Sequence, residues 1–142
     1  MKAFLDTSSL LKLYHQESDT EALCLALAEV EVIFLSELAH LEFCSAIWKK
    51  VRTQEIDLAT AKAVINCFEE DYLKFAWITL DSQIISQATS LLNQHGKLGL
   101  CTLDAIQLSS ALSLKGNPGT VFFTHDKLLK SVFEQEGLRR IA

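Results

Sequence analysis

Residues 2–9 read Lys2-Ala3-Phe4-Leu5-Asp6-Thr7-Ser8-Ser9, a short apolar run followed by one acid and three hydroxyl residues. The apolar run predicts a strand over Lys2–Leu5, and the hydroxyl residues after it are suited to cap the helix that follows. Asp6 would then lie at the carboxyl edge of a sheet, where the binding sites of open α/β proteins gather. Other residues that converge on this edge are therefore the candidates for chemistry.

Outward from this stretch, apolar strands alternate with helix-forming segments. Further strands are expected at Val32–Leu35, Ala76–Leu80, Thr120–Thr124 and Leu138–Ile141. Helices are expected at Ser8–His15, from a start at Ser18–Glu21 through Val30, Glu37–Arg52, from Asp57 or Thr60 to Lys74, from Ser82 to His95, Leu103–Lys115 and Asp126–Glu136. Since no hairpin signal occurs, crossovers and a mainly parallel sheet covered on both faces are expected. The sequence predicts one three-layer α/β/α domain over residues 1–142.

The composition limits the class of protein. The net charge of −5 argues against a broad basic face that coats nucleic acid, although it does not exclude an enzyme that holds a phosphodiester through bound cations. No apolar run is long enough for a membrane span, and Asp6 interrupts the N-terminal run before a signal peptide could form. A soluble, cytoplasmic protein without a membrane partner is expected.

The four cysteines are far apart in sequence and form no C-x-x-C pair. This spacing argues against zinc ligation and against a disulfide framework. Reduced and mostly buried thiols are expected, since free cysteine often serves as a small hydrophobic residue.

Four acids are candidates for a site. Asp6 and Asp126 each follow an expected strand, and Asp104 lies in the first turn of an expected helix. Each Asp also has a plainer interpretation, because Asp is favoured at helix starts. Glu42 lies inside a helix, and its neighbours three and four residues away are uncharged. An unpaired surface glutamate is the alternative there, but a carboxylate among small and apolar neighbours is costly unless something compensates it.

Crowded carboxylates repel one another, and hard divalent cations relieve that repulsion. Ligation by oxygen alone favours Mg²⁺ or Mn²⁺ over zinc. The chemistry that such residues suit is metal-dependent cleavage of a phosphodiester.

The segments around these acids resemble the four acidic motifs of PIN-domain ribonucleases. They are Phe4-Leu5-Asp6-Thr7-Ser8-Ser9-Leu10, Ser36-Glu37-Leu38-Ala39-His40-Leu41-Glu42, Thr102-Leu103-Asp104-Ala105-Ile106-Gln107-Leu108 and Phe123-Thr124-His125-Asp126-Lys127-Leu128-Leu129. Within that family the chain most resembles the VapC toxins of bacterial type II toxin–antitoxin systems, over nearly its whole length.

The resemblance implies a PIN-like domain with Mg²⁺- or Mn²⁺-dependent endoribonuclease activity. It implies a metal-binding catalytic cluster of Asp6, Glu42, Asp104 and Asp126, with Asp6 and Asp104 as the principal ligands. Small hydroxyl residues would support this cluster at Thr7, Ser8 and Thr124. It further implies a homodimer, an RNA substrate and a cognate antitoxin that inserts a segment near the acids.

Two positions depart from the pattern, because many relatives carry Arg where Cys101 stands and His where Gln107 stands. These departures leave the substrate preference open. Candidate RNA contacts are Lys12, Lys49, Lys50 and Arg52, although a solvated charge cluster at a helix end is the plainer interpretation of the last three.

Two other functional classes remain as alternatives. One is a PIN-like module that binds RNA or protein without catalysis, against which the complete set of acids weighs. The other is a receiver domain or an aspartate-nucleophile phosphatase; the phosphatase would need a second Asp at Ser8, and the receiver an acidic pair where Thr7 and Ser8 stand. The sequence identifies neither the RNA that is cleaved, nor the number of ions, nor the antitoxin.

Overall fold

The structure, a computed structural model, describes residues 1–139. Its strands are β1 (Lys2–Leu5), β2 (Val32–Ser36), β3 (Ala76–Ile78) and β4 (Thr120–Phe123). Its helices are α1 (Thr7–Tyr14), α2 (Thr20–Ala26), α3 (Glu37–Arg52), α4 (Leu58–Glu70), α5 (Ser82–His95), α6 (Thr102–Leu112) and α7 (Lys127–Gln135). Short 3₁₀ turns cover Tyr72–Lys74 and Gly96–Leu98.

The four strands form a parallel sheet in the order β3-β2-β1-β4. β1 is central, and its residue Ala3 lies opposite Ile33 of β2 and Val121 of β4. The carboxyl ends of β1 and β4 are therefore adjacent, with Leu5 opposite Phe123. This places the residues that follow these two strands at one edge of the sheet, as the sequence predicted.

Helices cover both faces of the sheet, because alternate strand residues point to opposite sides. Ala3 and Leu5 pack in one apolar core with residues of α1, α3 and α4. Phe4, between them in sequence, packs on the other face with residues of α5, α6 and α7. The predicted three-layer α/β/α class is confirmed, while the assignment of residues 1–142 to a single domain stays a prediction.

Several predicted boundaries were wrong. Asp6 itself caps α1 by accepting the backbone N–H of Ser9 at 3.0 Å, so the expected hydroxyl cap is not the one used. The second helix begins at Thr20, within the predicted start, but ends at Ala26 rather than Val30, and β3 ends at Ile78 rather than Leu80. No strand is assigned to residues 138–139, and residues 140–141 of the expected last strand lie outside the described residues.

The helix α5 ends at His95, as predicted, but Gly96, the residue expected to end it in a left-handed conformation, does not adopt that conformation. Gly96 keeps a helical backbone with φ −57°, and a 3₁₀ turn follows it. Gly99 has φ +96°, a left-handed conformation that a residue with a side chain rarely adopts, so this glycine ends the segment.

The expectation of mostly buried cysteines was wrong. All four thiols are free, but Cys24, Cys67 and Cys101 are exposed and Cys44 is half-buried. Each lies on or beside a helix face that the core does not cover, which the spacing of cysteines cannot indicate. Among the helices of residues 1–139, none combines the length and the apolar composition needed to cross a membrane.

Ser36 ends β2 and caps α3, the helix that carries Glu42. Its buried hydroxyl accepts the backbone N–H of Leu38 at 3.2 Å. Replacing Ser36 by alanine should therefore lower the free energy of unfolding by about 1 kcal/mol, measured by urea denaturation. Ser45→Ala, an exposed site on the same helix, is the control and should change little; equal losses for both variants would contradict the capping role.

Candidate active site

Asp6 lies at the end of β1 and is almost completely buried, with 3% of its surface exposed. The Ser8 hydroxyl donates to both of its carboxylate oxygens, at 2.7 and 2.9 Å, and the Thr124 hydroxyl donates to Oδ2 at 2.5 Å. Burial raises the pKa of Asp6 to about 6, although the hydrogen bonds from Thr124, Ser9 and Ser8 favour the charged form. The side chain is therefore held rigidly, in a place where its negative charge is costly.

Asp126 follows β4 and caps α7 by accepting the backbone N–H of Leu129 at 2.8 Å. Thr124, the first residue after β4, connects it to Asp6. The Thr124 hydroxyl donates to Asp6 and accepts the backbone N–H of Asp126 at 3.1 Å. The ends of β1 and β4 are thus joined through one hydroxyl group.

Glu42 is half-buried on α3 and is hydrogen-bonded, so the interpretation of an unpaired surface glutamate was wrong. The Thr7 hydroxyl donates to its Oε1 atom at 2.6 Å. The amide Nε2 of Gln107 donates to the same oxygen at 2.9 Å, and to Thr7 Oγ1 at 3.0 Å. Residues from α1, α3 and α6 therefore meet at this one carboxylate.

Asp104 lies in the first turn of α6 and is half-buried. Burial raises the pKa of its carboxyl above the ordinary value, and the negative charges of Asp126 and Glu42 raise that pKa further. A hydrogen bond from the backbone N–H of Cys101 opposes these effects. Asp104 therefore lies in the electrostatic field of two other acids from the predicted set.

We call Asp6, Glu42, Asp104 and Asp126 the acidic cluster. Thr124 joins Asp6 to Asp126, and Asp104 interacts electrostatically with Asp126 and Glu42. Among the described residues 1–139, no three His, Cys, Asp or Glu side chains lie close enough together to hold a metal ion. The oxygens of Asp6 and one oxygen of Glu42 are instead occupied by hydroxyl and amide donors.

The three predicted supporting hydroxyl residues all contact this cluster. Thr7 bonds Glu42, whereas Ser8 and Thr124 bond Asp6. The Ser8 oxygen also accepts the backbone N–H of His125 at 2.9 Å, which fixes the start of the loop before α7. Supporting roles for these residues in the reaction stay a prediction.

The sequence did not assign a role to Gln107 or to His125. Gln107 lies three residues after Asp104, one helical turn away, and that spacing could have placed it beside the acids. His125 Nδ1 lies 2.9 Å from the buried Ser9 hydroxyl. Burial lowers the pKa of His125, and the positive charge of Lys12 lowers it further. No spacing rule connects Ser9 with His125, because the two lie on different elements.

The candidate RNA contacts differ in how their charges are balanced. The Lys12 side chain is only 12% exposed, and its ammonium pairs with Glu17 at 2.8 Å and with Asp19 at 3.5 Å. Lys50 pairs with Glu55 at 3.2 Å and lies 3.8 Å from Glu17. Lys49 and Arg52 are exposed in the last turn of α3. RNA binding by these four residues stays a prediction.

The sequence matches the PIN domain family over residues 3–133, which include all four acids. The chain belongs to the PIN domain family. This match confirms the family that the acidic motifs indicated. No curated protein sequence matches the chain significantly.

Solved structures share this PIN domain fold over almost the whole chain. VapC20 of Mycobacterium tuberculosis, described as a Sarcin–Ricin loop cleaving toxin, is 18% identical with a TM-score of 0.69, and the match covers 98% of each chain. VapBC-1 of nontypeable Haemophilus influenzae is 18% identical with a TM-score of 0.64, covering 99% of this chain and 97% of the other. VapBC2 of Rickettsia felis, bound to a promoter DNA fragment, is 13% identical with a TM-score of 0.64, covering 100% and 98%. At these identities the likeness concerns the fold.

Proposed function

We propose that the protein is a Mg²⁺- or Mn²⁺-dependent endoribonuclease that cleaves RNA phosphodiester bonds at the acidic cluster. The observation that carries this proposal is the raised pKa of Asp104 within a PIN domain, caused first by burial and then by the negative charges of Asp126 and Glu42. Asp6 is attached to the same group through Thr124. Membership of the PIN family supports a nuclease.

The residues present fit a hard divalent cation in their chemistry. All four acids supply oxygen donors, and Mg²⁺ and Mn²⁺ prefer oxygen ligands. The raised pKa of Asp104 has two causes, burial and neighbouring negative charge, and a cation would offset both. When bound, such an ion would supply positive charge against the carboxylates and the scissile phosphate. Asp6, Glu42, Asp104 and Asp126 would hold it.

The chain's own residues would keep the acids in place during the reaction. Ser8 and Thr124 direct their hydroxyl hydrogens at Asp6, so this carboxylate keeps one orientation. Thr7 fixes one oxygen of Glu42 in the same way. Preorganised groups of this kind contribute to catalysis because they need little reorganisation when substrate binds.

The toxin role is also part of the proposal. One structural relative is described as a Sarcin–Ricin loop cleaving toxin, and two others are VapBC complexes. The chain spans 97% or more of those three relatives, so its length suits the same role. By this analogy the protein would form a homodimer in the cytoplasm and would be inhibited by a cognate antitoxin. The RNA target is left open.

The proposal predicts that cleavage depends on a divalent metal ion. Purified protein should cut a pool of structured cellular RNAs with Mg²⁺ or Mn²⁺, and excess chelator should abolish cutting, because the clustered carboxylates cannot approach a phosphate without positive charge. New RNA 5′ ends, mapped by sequencing, are the measurement. Restoring excess free Mg²⁺ should restore the same cut sites.

Two results would contradict this prediction. Cutting that persists unchanged in excess chelator would exclude the metal-dependent mechanism. Absence of cutting with either ion, in protein shown by calorimetry to bind no divalent ion, would favour the non-catalytic binding module instead.

A further inference from the structure

We infer that Gln107 is a positioning residue, which sets the orientation of the Glu42 carboxylate and thereby the affinity of the acidic cluster for a divalent ion. This inference rests on the proposed function. Gln107 is 3% exposed and lies one turn after Asp104 on α6. Its amide nitrogen contacts both Glu42 Oε1 and Thr7 Oγ1, at 2.9 and 3.0 Å.

The chemistry of the three groups fixes the direction of each hydrogen bond. An ionised carboxylate can only accept, so the Thr7 hydroxyl must donate its single hydrogen to Glu42. The Thr7 oxygen can then only accept, and the second amide hydrogen of Gln107 satisfies it. A flipped amide would direct its oxygen at two acceptors, so this network selects the orientation of the Gln107 side chain.

Both bonds to Glu42 fall on Oε1. A carboxylate held twice through one oxygen cannot rotate without breaking both bonds, and its Oε2 atom receives neither of them. Oε2 is therefore the oxygen that this arrangement leaves for a cation.

The amide oxygen of Gln107 also indicates that the amide nitrogen fixes the position of this side chain. Among the described residues, its Oε1 atom is buried without a hydrogen-bond partner. An unpaired buried acceptor is unfavourable, so the surroundings of Oε1 do not determine the position of the side chain. The contacts of Nε2 with Glu42 and Thr7 determine it instead. The side-chain amide of Gln107 does not titrate, so it stays neutral and can donate to Glu42 at every pH.

The first test follows wild-type protein by NMR during titration with Mg²⁺. The side-chain amide resonances of Gln107, assigned by their loss in Gln107→Met, should shift and saturate together with the resonances that report overall Mg²⁺ binding. A group that merely fills space between helices would not respond to occupation of the site. An amide pair that stays fixed while the rest of the protein saturates would overturn the inference.

The second test measures Mn²⁺ affinity by calorimetry. Gln107→Met keeps the length of the side chain and removes its donors, so Mn²⁺ affinity should fall by about 10- to 100-fold, the usual effect of losing a partner that orients a ligand. Gln87→Met makes the same change on α5, where Gln87 accepts from Ser109, and should leave Mn²⁺ affinity unchanged. Equal affinities for Gln107→Met and wild type would overturn the inference.

Thr7 provides a second pair of variants if Gln107→Met does not fold. Thr7→Val removes the hydroxyl between Gln107 and Glu42 and should also weaken Mn²⁺ binding, whereas Thr7→Ser should restore it. Equal binding by these two variants would overturn the inference and leave the proposed nuclease intact. If wild-type protein bound neither Mg²⁺ nor Mn²⁺, that result would contradict the proposed metal site and, with it, the role inferred for Gln107.

Discussion

Replacing Asp104 by asparagine should lower RNA cleavage by at least about 10³-fold, equivalent to about 4 kcal/mol of transition-state stabilisation. Asp104 is the acid whose pKa responds to two other members of the acidic cluster, Asp126 and Glu42. A neutral amide has nearly the same shape and can still accept the N–H of Cys101. The substitution therefore removes the charge from the cluster while leaving the helix start in place.

The same reasoning predicts that Asp104→Asn does not destabilise the protein. Burial and neighbouring charges raise the pKa of this carboxyl, which means that the folded state disfavours its charged form. Removing that charge should therefore leave the melting temperature of the chelated protein unchanged or raise it. Rates of cleavage under single-turnover conditions and thermal unfolding of the same preparation are the two measurements.

Asp57→Asn is the matched control for this experiment. Asp57 also lies at a helix start, where it accepts the backbone N–H of Thr60 at 2.7 Å, but it is exposed and outside the acidic cluster. The control should cleave RNA at the wild-type rate. Wild-type activity in folded Asp104→Asn would exclude the proposed role of the acidic cluster.

Much of the fold was predictable, because parallel strands and buried helices leave strong patterns. Continuous apolar runs mark β2 and β4, and the lack of tight turns between strands indicated crossovers. From this it followed that Asp6 and Asp126 lie at the same edge, and the register of β1 with β4 agrees. The positions of Glu42 and Asp104 depended on the resemblance to PIN domains, since periodicity alone does not orient two helices against a sheet edge.

The hydrogen-bonding of the acids was not predictable, because it depends on distances between elements far apart in sequence. Thr124 bonds Asp6 across 118 positions, and Gln107 bonds Glu42 across 65. Pattern rules operate over a few residues and cannot detect such pairs. The wrong helix cap has a different, local cause: Asp6 and the hydroxyl residues after it were all suitable caps, and the sequence does not decide between them. The helix begins at Thr7, which makes Asp6 the cap.

Asp6 shows a conflict between stability and the proposed function. A carboxylate buried in the fold is expensive, and three side-chain and backbone donors offset only part of that cost, because its pKa still stands at about 6. A divalent ion would favour the charged form directly. The residue therefore combines an unfavourable position in the metal-free fold with a favourable position for binding a cation, a combination typical of functional sites.

Asp6→Asn should accordingly stabilise the metal-free protein above about pH 6, by up to roughly 3 kcal/mol for a pKa that burial raises from 3.8 to about 6. Between about pH 4 and 6 the folded protein holds a proton on Asp6 that the unfolded chain has already released. This contribution of the neutral carboxyl is complete below about pH 4 and is lost as the pH rises through 6. Asparagine stays neutral at every pH. The free energy of unfolding of Asp6→Asn should therefore increasingly exceed that of wild type as the pH rises, and the difference should level off above about pH 6.

Urea denaturation of chelated wild type and Asp6→Asn at several pH values between about 4 and 8 measures this difference directly. Other titrating groups are common to both proteins and cancel in the comparison. The control Asp57→Asn should show the opposite sign, because the hydrogen bonds from Thr60 lower the pKa of Asp57, and the stability that it contributes is lost as the pH falls. Parallel curves for wild type and Asp6→Asn would contradict the raised pKa of Asp6.

Addition of Mg²⁺ or Mn²⁺ at about pH 7.5 then connects this stability difference to the proposed site. An ion that binds only the folded state stabilises it by about 2.7 kcal/mol at a hundred times its dissociation constant. Wild type should gain this stabilisation, whereas Asp6→Asn should gain much less, since the amide supplies no negative charge. The advantage of the variant should therefore shrink or reverse as the ion is added. Equal stabilisation of both proteins would mean that Asp6 is not a ligand. The cost of burying its charge would then not be offset by ion binding.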